Sequence, residues 1–313
     1  MRVIPDMIDL SKYLEEPSPG ERVIPASSLY EQVRDEFAMP RAMTGARTPW
    51  AKADGLIRFR EGEVSLWAGA NDSGKSLVTS QAALSLCEQG ERSCIASLEM
   101  PPRKTMYRMT RQAAGAPDPA IRFIKGFHNW TDGKLWIFDH LGQIDPKRIM
   151  AVIRYCRQEL RISHFFLDSL MRCVRGEDDY NGQKDFVTDL CAVAQDTGMH
   201  IHLIHHTKKP PDDTHRPNRY DSKGSGSISD QVDNAFMLWR NKPKERDLEK
   251  ASTDAEREAI EGKPDAVLAC DKQRHGEWEG SVSLWFNQRS QSFRGERSVP
   301  WVTGINLPDL EAA

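Results

Sequence analysis

The sequence predicts an α/β fold: a mostly parallel, twisted sheet flanked by helices, with an irregular N-terminal arm. Three observations lead there. From Val64 onward, short β-rich runs alternate with amphipathic stretches, the pattern of parallel strands joined by crossover helices. The octet Gly69-Ala70-Asn71-Asp72-Ser73-Gly74-Lys75-Ser76 stands between an apolar run and a helical one. Two later apolar runs end in acids, Asp139 and Asp168, and a parallel sheet gathers the carboxyl ends of its strands on the side where ligands bind. The 313 residues are 39% hydrophobic and 28% charged, enough apolar material for a core and no sign of global disorder.

Residues 1–50 carry Pro5, Pro17, Pro19, Pro25 and Pro40 and read as an arm or linker, with one helix over Ser28–Phe37. Residues 51–295 form the main domain, and 296–313 a short, mildly acidic tail. Strands are predicted at Val64–Ala68, Ser93–Ser97, Leu135–Asp139, His164–Asp168, His200–His205, Asn234–Trp239, Ala266–Asp271 and Ser281–Phe286. A helix from Leu77 to Cys87 stops near Gly90. Ile149, Val152, Ile153, Cys156 and Leu160 form an apolar stripe at helical spacing, as do Phe186, Leu190 and Val193. Thr207 to Gly226 is polar and reads as a long loop; Lys242 to Pro264 is charged and reads as a solvated helix or insertion.

There are 43 basic against 46 acidic side chains, a net charge of -3, which excludes a polycation that holds nucleic acid by bulk charge. Any such binding must be local, and Lys208, Lys209, Arg216, Arg219 and Lys223 against Asp212, Asp213 and Asp221 make one such local excess. No apolar run approaches the roughly 18 residues of a membrane span, and no targeting segment is visible. The expectation is a cytoplasmic protein with no membrane partner. The six cysteines are scattered without a C-x-x-C pair, which points to reduced thiols.

The octet fits G-x-x-x-x-G-K-[ST]. Its glycines let backbone N–H groups face phosphate oxygens at a helix N-terminus; Lys75 reaches the β- and γ-phosphates, and Ser76 ligates Mg²⁺. Asp168 is the preferred partner of Ser76 in the metal shell, with Asp139 its rival. Glu99, ending the strand after the loop's helix, is placed to polarise an attacking water. The alternation in His200-Ile201-His202-Leu203-Ile204-His205-His206 offers no convergent metal site; His206, at the strand end, is the one expected near phosphate.

These motifs, in this order, resemble those of the DnaB-type hexameric replicative helicases, most closely the helicase domain of phage primase–helicases, from about Glu61 to Phe293. Ser97-Leu98-Glu99-Met100 is similar to the family's segment bearing the catalytic base, and Phe166-Leu167-Asp168 to its Walker B strand. His206 matches the γ-phosphate sensor, and Lys208 opens the DNA loop. Lys223-Gly224-Ser225-Gly226 resembles R-G-S-G, with Lys in place of Arg. Lys272-Gln273-Arg274 resembles the K-x-R element given to the neighbouring subunit's nucleotide, and Phe286 the aromatic beside adenine. The resemblance implies a RecA-like P-loop NTPase that holds ATP or another NTP through Gly69 to Leu77, with Mg²⁺. It implies a hexameric ring moving 5′→3′ on single-stranded DNA, in a bacterial cell or phage-infected host. No primase or zinc-binding segment precedes the motor, so a separate primase, or none, is implied; a separate primase and a replication polymerase are candidate partners. A RecA-fold strand-exchange ATPase or a regulatory ATPase without unwinding remains the alternative.

Overall fold

In a computed structural model, residues 2–14, 25–38, 44–176, 178–222 and 226–298 are described. The strands are β1 (Arg2–Pro5), β2 (Ala46–Arg47), β3 (Arg58–Phe59), β4 (Val64–Gly69), β5 (Ser93–Ser97), β6 (Leu135–Asp139), β7 (His164–Asp168), β8 (His200–His206), β9 (Asn234–Arg240), β10 (Ala266–Gln273), β11 (Gly280–Asn287) and β12 (Ser292–Arg294). The helices are α1 (Tyr30–Ala38), α2 (Lys75–Glu88), α3 (Pro102–Ala114), α4 (Ile121–Trp130), α5 (Pro146–Leu160), α6 (Tyr180–Thr197), α7 (Ser227–Gln231), α8 (Lys242–Lys250) and α9 (Asp254–Glu261).

Ten strands form one sheet in the order β1-β6-β5-β7-β8-β4-β9-β10-β11-β12. From β1 through β9 every neighbouring pair is parallel; β10, β11 and β12 continue antiparallel. The central strands are apolar on both faces because helices cover both. In β4, Val64, Leu66 and Ala68 point into a core shared with Ile153 of α5 and Leu190 of α6, while Trp67 points into the core under α2, α3 and α4. That two-residue alternation, set by the pleat, lets one strand serve two cores.

Local chemistry sets the helix ends. Asp145 caps α5 by accepting from the amides of Lys147 and Arg148, with Pro146 in the first turn, and Gly198 ends α6 in the left-handed conformation (φ 65°).

All eight predicted strands are present, each within two residues of its expected bounds. The predicted irregular arm differs: Arg2–Pro5 pairs in parallel with Leu135–Asp139 at the sheet edge, and Ile4, Leu10 and Tyr13 are buried in the core beside α5. The partner of this four-residue strand lies over 130 residues away, so its own residues carried no signal of it. The charged segment after Asn241 folds as two helices, α8 and α9, with a Thr253–Glu256 capping box opening the second. The tail beyond residue 298 lies outside the described residues, as do Lys223, Gly224 and Ser225. Among the described residues no helix is long and apolar enough to cross a membrane.

Candidate active site

The phosphate loop turns tightly between β4 and α2. Gly74 adopts φ 95°, a backbone region that strains any side chain, and Asp72 adopts φ 60°. Gly69 faces β9 so closely that a Cβ there would lie 2.6 Å from the Leu238 carbonyl oxygen and 2.7 Å from Ser73 Oγ. Arg240, at the end of β9, donates to the Asp72 carbonyl at 3.2 Å and pairs with Glu245 of α8 at 2.6 Å. The charged insertion thus braces the loop, through a residue sequence reasoning had no signal to find.

Lys75 is 7% exposed and folds back to donate to the carbonyls of Gly69 (2.9 Å) and Ala70 (2.8 Å). Burial pulls its pKa down to about 8, against the opposing charges of Asp168, Asp72 and Glu99. Ser76 Oγ donates to Asp168 Oδ2 at 2.6 Å. Burial and the charge of Glu99 hold the Asp168 carboxyl above its ordinary range, while the Ser76 hydroxyl and Lys75 work the other way. A hydroxyl and a carboxylate in contact beside an ammonium are hard oxygen donors, the set Mg²⁺ prefers.

Sheet order makes the site. Side by side, β5, β7, β8 and β4 end in Glu99 (two residues past β5), Asp168, His206 and Gly69. His206 sits level with Gly69 in the register, and Thr207 N–H donates to the Gly69 carbonyl at 3.1 Å. Asp139 ends β6, two strands beyond Asp168, and so about 10 Å farther from the loop at the usual strand spacing. The structure therefore brings Asp168, not Asp139, to Ser76. Glu99 Oε1 receives the Ser169 hydroxyl (3.3 Å) and Arg172 Nε (3.1 Å), so the acid is tied to the turn after Asp168. Arg172 was not visible as a partner in the sequence, where 72 residues intervene.

Past His206, the loop folds back on itself through a Thr207–Ser222 bridge, with Lys208 N–H donating to the Asp221 carbonyl at 2.8 Å. Lys208 and Lys209 are exposed and share a cleft with Ala70 and Asn71 of the phosphate loop. Arg216 lies over the Trp239 ring at 4.9 Å, and Arg219 over Tyr220 at 5.0 Å. Gly226 precedes α7.

Lys272 and Arg274 lie elsewhere. Because β10 runs antiparallel to β9, Gln273 pairs with Asn234 at the start of β9, level with the start of β4. Both cations thus lie toward the end of the sheet away from the phosphate loop: Lys272 is level with Leu66 and Arg274 lies beyond Ser65, about 10 Å and about 16 Å along β4 from Gly69 at the usual rise per residue. They cannot reach their own chain's triphosphate. Phe286 packs on Phe293 (ring centroids 4.8 Å apart), and a Cβ on Gly74 would meet the Phe293 ring at 3.1 Å. Gln81 of α2 clamps Phe293 through both backbone groups, at 2.6 and 2.8 Å. The pair walls the loop on the side away from Glu99; Phe293, alone in a polar stretch, carried no sequence signal.

The other strand histidines are structural. Trp67 Nε1–H can only donate, and it meets His202 Nδ1 at 3.2 Å; His202 Nε2 then carries the proton and donates to His164 Nδ1 at 3.2 Å. Burial pulls both rings well below their ordinary pKa, and His200 to about 4. Among the described residues no group of three or more His, Cys, Asp or Glu is arranged to hold a metal.

A phosphate loop on the strand-to-helix turn, with two acids on neighbouring strand ends, defines a P-loop NTPase of RecA-like fold. The AAA domain family matches residues 47–212, just over half of the chain, and the chain belongs to that family. Among solved structures, the ATPase domain of G40P superposes with a TM-score of 0.70 at 17% identity, covering 90% of this chain and 99% of that one. A DnaB-like replicative helicase, solved for its interactions with primase, superposes with a TM-score of 0.69 at 16% identity, covering 88% of this chain and 69% of that one. At these identities the likeness is one of fold.

Proposed function

We propose that this chain is a ring-forming replicative DNA helicase that hydrolyses ATP or another NTP and moves 5′→3′ along single-stranded DNA. One observation carries the reading: the acids and phosphate loop stand at one end of the sheet, while Lys272 and Arg274 stand toward the other. A site so divided is completed by a second copy of the chain, which favours a closed ring, here a hexamer.

In this reading Gly69 to Leu77 wrap the triphosphate, and Lys75 leaves its carbonyls for the β- and γ-phosphates. Ser76 and Asp168 would hold Mg²⁺, which when bound neutralises charge on the phosphate oxygens. Glu99 polarises the attacking water, and Phe286 lies beside the base. His206 reports the γ-phosphate to the loop bearing Lys208 and Lys209, which grips the DNA backbone with Arg216, Arg219 and the Lys223–Gly226 segment. Arg274, with Lys272, adds positive charge to the neighbour's transferring phosphate. On α1, Tyr30, Val33 and Phe37 expose an apolar stripe, suited to packing on the next copy as a linker helix. A primase and a replication polymerase are the partners this reading expects.

The test is mass in solution with and without a non-hydrolysable nucleotide and oligo-dT, then unwinding of forked duplexes with 5′ or 3′ tails. Nucleotide-dependent rings and displacement from the 5′ tail are expected. A lone particle under every condition overturns the reading; DNA-stimulated hydrolysis without displacement points instead to a strand-exchange ATPase.

A further inference from the structure

At the end of the sheet away from the phosphate loop, Asp233 lies between α7 and β9, only 4% exposed. Its Oδ2 accepts from the amide of Val64, the first residue of β4, at 2.9 Å. Its Oδ1 faces Arg274 Nη1 at 3.3 Å, and its carbonyl accepts from Arg274 N–H at 2.8 Å. The guanidinium's other arm donates to the Gln231 carbonyl at 3.1 Å. Beside it, the Lys272 ammonium donates to the carbonyls of Ser229 (3.1 Å), Asp230 (2.7 Å) and Val232 (2.7 Å). The last carbonyls of a helix lack partners within it and carry negative partial charge, so they are a natural seat for cations. Both cations therefore rest on one short turn, and that turn follows directly from the segment 207–226. Asp233 and Arg274 also line an open cleft with Arg60, Glu63, His275 and Glu277, where a neighbouring copy has access.

We propose that Asp233 and the carbonyl turn ending α7 position Arg274 and Lys272 for the neighbouring copy's triphosphate. This rests on the divided-site reading above. Asp233 is a positioning residue: it touches no nucleotide and acts through the guanidinium it orients. Its anchor on Val64 ties that orientation to the rigid strand leading to the chain's own phosphate loop.

The discriminating variant is Asp233→Asn. Its side-chain oxygen still accepts from Val64 N–H, while an NH₂ group replaces the oxygen facing Arg274. DNA-stimulated kcat should fall at least about tenfold, since misplacing a catalytic charge by about 1 Å costs up to ~100-fold. Affinity for a fluorescent ATP analogue and for oligo-dT should stay within twofold. Mixing Asp233→Asn with Lys75→Ala subunits should restore hydrolysis, because the Lys75→Ala copy supplies a correctly held Arg274 to the variant's intact phosphate loop. Arg274→Ala is run alongside. Parent-like turnover by Arg274→Ala refutes the divided site itself. Loss in Arg274→Ala with parent-like turnover in Asp233→Asn overturns the positioning role alone, as does lost nucleotide affinity or absent complementation. If Asp233→Asn fails to fold, Asp233→Glu takes its place: the charge is displaced by one methylene, so kcat should still fall with affinity kept, and a parent-like rate overturns the proposal.

Discussion

Replacing Lys75 by Met should stabilise the nucleotide-free protein while destroying nucleotide binding. The ammonium sits 7% exposed, and its pKa falls from the ordinary 10.5 to about 8 because burial disfavours the charge. That depression corresponds to roughly 3 kcal/mol working against the folded state at neutral pH. Met fills a similar volume without the charge. The two carbonyls that lose the ammonium keep other donors: Thr207 N–H on Gly69 at 3.1 Å and Ser73 N–H on Ala70 at 3.2 Å. Allowing for the lost charge-assisted bonds, a net gain of about 1–2 kcal/mol remains, a rise in melting temperature of ~2–4 °C for a chain of this size.

The pH dependence follows from the lowered pKa. Below pH 8 the folded and unfolded chains both carry the Lys75 proton, and the penalty is complete. Between about 8 and 10.5 the folded chain binds fewer protons, so parent stability rises with pH; above that range the penalty is gone. Thermal melts of parent and Lys75→Met from pH 7 to 10, with and without a non-hydrolysable ATP analogue, measure this. The variant should melt higher at pH 7 without nucleotide, the gap should narrow toward pH 10, and only the parent should gain from the analogue. A variant that melts lower at pH 7, or a gap indifferent to pH, would refute the electrostatic account of the buried lysine.

Glu99→Gln should lower kcat by about 10²–10³ while leaving nucleotide affinity within a few-fold, read by single-turnover hydrolysis and analogue binding; its loss of the half-exposed pair with Arg172 should move stability by no more than about 1 kcal/mol. Gly69→Ala should cost about 1–3 kcal/mol and weaken nucleotide binding, because its Cβ would stand 2.6 Å from the Leu238 carbonyl; a parent-like denaturant midpoint would mean the loop can yield there. Lys208→Ala should weaken oligo-dT binding and reduce the slope of log affinity against log salt by about 1, measured by fluorescence anisotropy; an unchanged slope would remove Lys208 from the DNA contact.

Much of the architecture was legible because it is local. The strand Val64–Gly69, the loop and the helix from Lys75 are contiguous, so glycine, lysine and the apolar run announce them together. Glu99 and Asp168 could be named because each ends an apolar run. The ion pair of Glu99 with Arg172, the clamp of Gln81 on Phe293 and the brace of Arg240 on Asp72 were invisible, since each joins residues scores of positions apart. The edge strand Arg2–Pro5 was hidden for the same reason: its backbone pairing with residues 136–139 leaves no mark in its own four residues.

The sequence alone determined the alternation of strands and helices, the phosphate loop, and which acids stand at strand ends, because periodicity and loop geometry depend only on neighbouring residues. The order in which the strands lie side by side was decided by tertiary structure. That order sets Asp168 two strands from the loop and Asp139 four, and the reversal at β10 carries Arg274 to the far end of the sheet. Side-by-side placement is chosen by which faces bury best against which helices across the whole chain, a global minimum that no short window of residues contains.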